Sequence, residues 1–135
     1  LQVVFDLQTV GEHTLAIELF NKILARTTDQ QVQREIFFWL ADSYKANDDN
    51  ARAARYYIKS ATYITEKSMD PWAQTSRYKA AEALAKAGYI NDARTLFTQL
   101  LNITREPTRR AVLQHELQKL WLLKDDNPSR ISNLE

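Results

Sequence analysis

The chain has no cysteine, which excludes disulfides, thiolate metal sites and cysteine nucleophiles together. It has only two glycines and three prolines in 135 residues. An all-β domain needs a turn every ~8–12 residues and usually marks it with Gly, Pro or Asn, so the breakers are too few for one. Charge of one sign is lacking too: 18 Lys and Arg stand against 17 Asp and Glu, a net of +1. That balance implies no bulk electrostatic attraction to nucleic acid or to an acidic membrane. No apolar run approaches the length of a membrane span, and no signal-peptide pattern is visible. The chain opens on Leu1, already inside an apolar pattern, which predicts a segment of a longer protein.

What is present is helical periodicity, with apolar residues at three- and four-residue steps. It predicts an all-α protein of about seven helices. The first carries Val3, Val4 and Leu7 over residues 2–10, and the second carries Leu15, Leu19, Phe20 and Ile23 over 12–26. Asp29 is a natural N-cap for the third, whose stripe is Ile36, Phe37, Leu40, Ala41 and Tyr44. "KANDDNARAA" reads as a tight turn into a fourth helix over 51–67. Asp70 and Pro71 start the fifth, which runs to Gly88, because proline suits a first helical position whose N–H has no partner. The sixth holds Ala93, Phe97, Leu100 and Leu101, and the seventh runs from 107 to 124. Residues 125–135 lose the period and read as a tail or linker, with Leu134-Glu135 in the character of a cloning remnant.

A repeat underlies these helices. Ala16 and Phe20, Ala53 and Tyr57, and Ala93 and Phe97 are each four residues apart, and the pairs recur at intervals of 37 and 40 residues. Gly11, Asp48 and Gly88 each precede the alanine by five residues. Two antiparallel helices approach closely only where their facing side chains are small, and a left-handed residue must end the first of them. The aromatic one turn later fills the wedge between one hairpin and the next.

In spacing, Phe37, Leu40, Ala41, Tyr44, Ala53 and Tyr57, then Ala81, Leu84, Gly88, Ala93 and Phe97, resemble the tetratricopeptide repeat family over about residues 1–105. The resemblance implies a right-handed superhelical array of antiparallel helix pairs, an α-solenoid, in which the first helix of each pair lines a concave groove. Repeats would span about 1–27, 29–67 and 70–104, with 107–124 as a terminal helix. Two departures mark a divergent member: the repeats exceed the usual ~34 residues, mostly through an extended fourth helix, and Arg77 replaces an expected aromatic. "FFWLADSYKANDD" is similar to repeats of bacterial envelope assembly and export lipoproteins, which leaves bacterial cytoplasm and periplasm or envelope both open.

Catalytic and metal chemistry have no support in the residues, and no cofactor is implied. His13 and His115 stand 102 residues apart without a carboxylate set, and the paired aspartates lack the glycine and distal glutamate of a calcium loop. The two glycines, 77 residues apart, form no phosphate-cradling loop. Arg105, Arg109 and Arg110 gather at a helix start, where they read either as an anion patch or as a solvated cluster paired with Glu106 and Glu116.

The resemblance places Glu35, Phe38, Asp42 and Lys45 on the groove face of the third helix, and Thr75, Tyr78, Glu82 and Lys86 on that of the fifth. Gln114 and Gln118, with Trp121 beyond them, would continue it on the seventh. An aromatic, a carboxylate and a lysine thus recur on two helices, either as a peptide-binding groove or as packing between repeats. Asp42 and Glu82 stand where members that clamp a chaperone's carboxylate tail have Lys and Asn, so a basic or mixed peptide fits better. Trp39 and Trp72 are expected to be part-buried. The first expectation is therefore a scaffold or adaptor binding a protein or peptide partner. The alternatives are a regulatory or nucleic-acid-associated subunit using the arginines, and a homo-oligomer formed through the first helix.

Overall fold

The computed structural model describes residues 1–125. They form seven α-helices and no strand: α1 (Gln2–Thr9), α2 (His13–Arg26), α3 (Gln30–Ala46), α4 (Asn50–Thr62), α5 (Pro71–Lys86), α6 (Ile90–Ile103) and α7 (Pro107–Leu120). Extensive helix contact runs only between neighbours in the chain, from α1 on α2 through to α6 on α7.

α1, α3 and α5 all end in the same turn. Among the described residues the backbone takes positive φ only at Gly11 (86°), Asp48 (61°) and Gly88 (90°). The amide of each reaches back three residues, to the carbonyls of Gln8, Lys45 and Ala85. The following amide reaches back five, from Glu12 to Leu7, Asp49 to Tyr44 and Tyr89 to Leu84, at 2.8–2.9 Å. This pair of bonds satisfies the last carbonyls of a helix and requires the left-handed residue. The next helix then starts at once. The amides of Ala16, Ala53 and Ala93 donate to Glu12, Asp49 and Tyr89, each at 3.0 Å. All three alanines, and Phe20, Tyr57 and Phe97 one turn later, have no exposed surface.

Contact within and between hairpins is part apolar and part polar. Phe38 of α3 meets Tyr57 of α4 and Trp72 of α5 at centroid separations of 5.3 and 5.0 Å. Buried serines cross-link the helix backbones. Ser60 Oγ donates to the Arg34 carbonyl at 2.7 Å and accepts from Trp72 Nε1 at 2.8 Å. Ser76 Oγ donates to the Tyr57 carbonyl at 2.6 Å. Gln8 Nε2 donates to Ser43 Oγ at 2.7 Å, which ties α1 to α3. The Arg34 guanidinium, 5% exposed, donates to Asp70 Oδ1 at 2.5 Å, and the same oxygen caps α5 by accepting from the Ala73 amide.

Three boundaries differ from expectation. α4 ends at Thr62, so the extended helix over 51–67 does not form and residues 63–69 are an irregular connection. The cause lies in α5: Arg77 Nη2 donates to the carbonyls of Glu66 (2.9 Å) and Ser68 (3.4 Å), which are drawn toward a buried cation. α7 stops at Leu120 rather than Lys124, because Arg94 Nη2 takes the carbonyls of Leu120, Trp121 and Leu123. Asp125 is not loose tail; its carboxylate accepts from the Ile90 amide and caps α6. The rest of the expected tail, with Leu134 and Glu135, lies outside the described residues.

Two measurements follow from the turns and the Arg34–Asp70 pair. A Cβ added at Gly11 meets nothing within 4 Å, so Gly11→Ala should cost only its left-handed backbone, about 1 kcal/mol, and Asp48→Gly should gain a comparable amount in urea unfolding. The hydrogen bond from Arg34, and then that from the Ala73 amide, holds the Asp70 carboxyl below its ordinary range. A depressed carboxyl stabilises the fold above its unfolded pKa and loses that contribution as pH falls through the folded value. Asp70→Asn, which keeps a capping oxygen, should therefore cost about 1 kcal/mol at neutral pH, discounted for the half-exposed carboxylate. The gap to wild type should close below about pH 4.

Candidate functional site

The sites expected on α3 are largely consumed by the fold. Phe38 is 7% exposed and packs edge-on against Trp39 and Tyr57, so it has little surface to offer a partner. Asp42 accepts from the Tyr57 hydroxyl, and burial first, then this bond, pushes the phenol well above its ordinary pKa. Glu35 accepts from Gln31 within the helix, and Lys45 is half-buried. Trp39 and Trp72 are both part-buried, the latter with its indole N–H spent on Ser60.

On α5 the outcome is different. Thr75, Tyr78 and Glu82 line one cleft of about 340 Å³ between α5, the end of α6 and the start of α7. Gln74 and Lys79 extend the α5 wall, Leu100 and Thr104 come from α6, and Thr108, Arg109, Val112 and Leu113 form the facing wall. Tyr78 packs edge-on against Phe97 at 5.5 Å, which fixes its ring as one side of the cleft. Burial, then the nearby charges of Glu116 and Glu82, pushes its phenol up to about 12. The hydroxyl therefore stays a neutral donor at any physiological pH. The cleft has an apolar centre with both signs of charge around it: Lys79 and Arg109 against Glu82, with Glu116 close to Tyr78.

Lys86, Gln114 and Gln118 do not line it; all three are exposed elsewhere on their helices. The cleft face of α7 is that of Arg109 and Val112, one turn nearer the helix start. Val112, 44% exposed, was legible as an apolar residue standing outside the Leu113–Leu117–Leu120 stripe. Trp121 lies just past the end of α7 and is 77% exposed.

The three arginines do not converge. Arg110 Nη1 donates to the Leu101 and Thr104 carbonyls at 3.0 and 2.9 Å, closing the C-terminal end of α6. Arg109 lines the cleft, and Arg105 is exposed. The start of α7 is already occupied, since Glu106 accepts from the Thr108 and Arg109 amides at 3.0 and 2.8 Å. These amides hold the Glu106 carboxyl below its ordinary range. The pairing expected between the arginines and Glu116 is replaced by a bridge from Glu116 to Lys119 at 3.0 Å. Among the described residues no group of His, Asp and Glu converges to hold a metal, and no helix is long and apolar enough to cross a membrane.

Arg110→Ala should expose the cost of two carbonyls without a partner, about 1–2 kcal/mol in urea unfolding, whereas Arg105→Ala should stay within about 0.5 kcal/mol.

No protein-family model, curated protein or solved structure matches the chain.

Proposed function

We propose that the chain is a protein-interaction module: a right-handed superhelical array of antiparallel helix pairs, related to tetratricopeptide repeats, that serves as scaffold or adaptor. It holds a segment of a partner protein between α5 and α7. The observation that carries this reading is the cleft itself, where Thr75, Tyr78 and Glu82 of α5 stand opposite Arg109 and Val112 of α7. The three like hairpin turns, and packing whose extensive contacts join helices adjacent in the chain, support the array.

The apolar centre between Tyr78, Leu100 and Val112 accepts one or two anchoring side chains, and desolvating them supplies affinity. Charges of both signs at the margin select a segment of mixed charge and set its direction. Tyr78 adds a neutral donor for a backbone carbonyl of the segment. Nucleic acid is the weaker reading, because Arg110 is spent on carbonyls and Glu106 fills the helix start.

A photo-crosslinking residue at Thr75 should capture the partner, while one at the exposed Lys22 of α2 should not. Val112→Asp should weaken the captured complex by about tenfold or more. Equal capture from both positions, or an affinity indifferent to Val112→Asp, would end this reading.

A further inference from the structure

The core contains two buried arginines with different fates. Arg34 and Arg77 are 5% and 8% exposed, and each has an Nε without a hydrogen-bond partner. Arg34 is neutralised by Asp70 at 2.5 Å. Arg77 forms no ion pair with any described residue and donates only to the carbonyls of Glu66 and Ser68, through Nη2. A buried guanidinium with carbonyl partners alone keeps an uncompensated charge, which is costly in a medium of low polarity. Burial accordingly lowers its pKa, with no carboxylate opposing the effect.

Arg77 also lines a second cleft, of about 470 Å³, between α4, the 63–69 connection, α5 and α6. This cleft uses a different face of α5 from the one bearing Tyr78. Two further donors line it, the Lys67 ammonium and the Gln99 amide, while the Thr62 and Thr95 hydroxyls on its margin donate to the carbonyls of Ile58 and Asn91 in their own helices. Ile58, Leu84 and Leu96 give it an apolar side. Glu66 and Asp92 line it as well, so a doubly charged anion would meet two like charges where a single carboxylate carries half the repulsion.

We propose that this cleft is a binding site for a carboxylate group attached to a short apolar body, with Arg77 as the counter-charge and Lys67 at the entrance. The guanidinium geometry suits a planar carboxylate, and the apolar side accepts the attached chain. The site does not depend on the cleft between α5 and α7, and either can fail without the other.

Two probes separate the sources of such a group: isovalerate for a small metabolite-like acid, and acetyl-alanyl-leucine for the C-terminus of a protein. Titration at pH 7, followed by the Arg77 Nε–H resonance, should show saturable binding of at least one probe. Neither isoamyl alcohol nor sodium chloride at matched ionic strength should reproduce it. Thr95→Trp, at an exposed position on the margin, should weaken binding about tenfold without disturbing the fold, and Arg77→Gln should abolish it. Tighter binding of the peptide assigns a protein terminus, and tighter binding of isovalerate assigns a small acid. No saturable shift with either probe, undiminished binding to Thr95→Trp, or tighter binding of inorganic phosphate would overturn the proposal.

Discussion

Gly11, Asp48 and Gly88 reverse the chain with one left-handed residue each, and the paired helices can meet closely only because the reversal is that tight. The turn leaves no slack: the helix before it ends on two backward hydrogen bonds, and the next residue is already the N-cap of the helix after it. With the ends so close, the crossing point falls five residues further on, where Ala16, Ala53 and Ala93 have no exposed surface. A larger side chain there would push the helices apart and lift Phe20, Tyr57 or Phe97 from its seat. Each of those aromatics contributes about 1.5–3 kcal/mol by burial, so the turn, the alanine and the ring act as one unit.

Hairpins built this way still have to find a fixed orientation on each other, and apolar contact alone is not directional. Direction comes from the polar contacts. Ser60, Ser76 and Ser43 bond across helix interfaces, and Arg34 ties α3 to the cap of α5 through Asp70. Each such bond is worth only ~1 kcal/mol net, yet a misaligned helix would leave several buried polar groups without partners. The aromatic wall of Phe38, Trp39 and Trp72 covers the α3–α5 side and leaves Phe38 buried. Between α5 and α7 there is no such wall. Leu113 is buried there but Val112 is not, and a cleft stays open.

Much of this was legible in the residues. The helix starts at Asp29, Asp70 and Pro71, the three turns and the buried alanines follow from capping, chirality and size, which act within one or two turns of chain. The candidate site was legible only on α5, where Thr75, Tyr78 and Glu82 share a face set by the helical period. On α3 the same pattern of aromatic and carboxylate gave interior packing, because Tyr57 and Trp72, 15 and 34 residues after Asp42 and Phe38, arrive to cover it. On α7 the polar Gln114 and Gln118 suggested a face that the helix turns away from the cleft.

The sequence alone determined the helices, their reversals and the small-residue crossings, since each depends on a backbone preference or a side-chain volume at a known spacing. Only the tertiary structure decided which aromatic became core and which became the wall of a cleft. It also decided where α4 and α7 end, because distant guanidinium groups on Arg77 and Arg94 compete for the carbonyls that a longer helix would need. The fate of a charge was decided there as well: Arg34 meets a carboxylate 36 residues away and is neutralised, whereas Arg77 is buried beside a cleft and forms no ion pair with any described residue. Such pairings depend on which side chains converge from separate helices, and no local pattern encodes that.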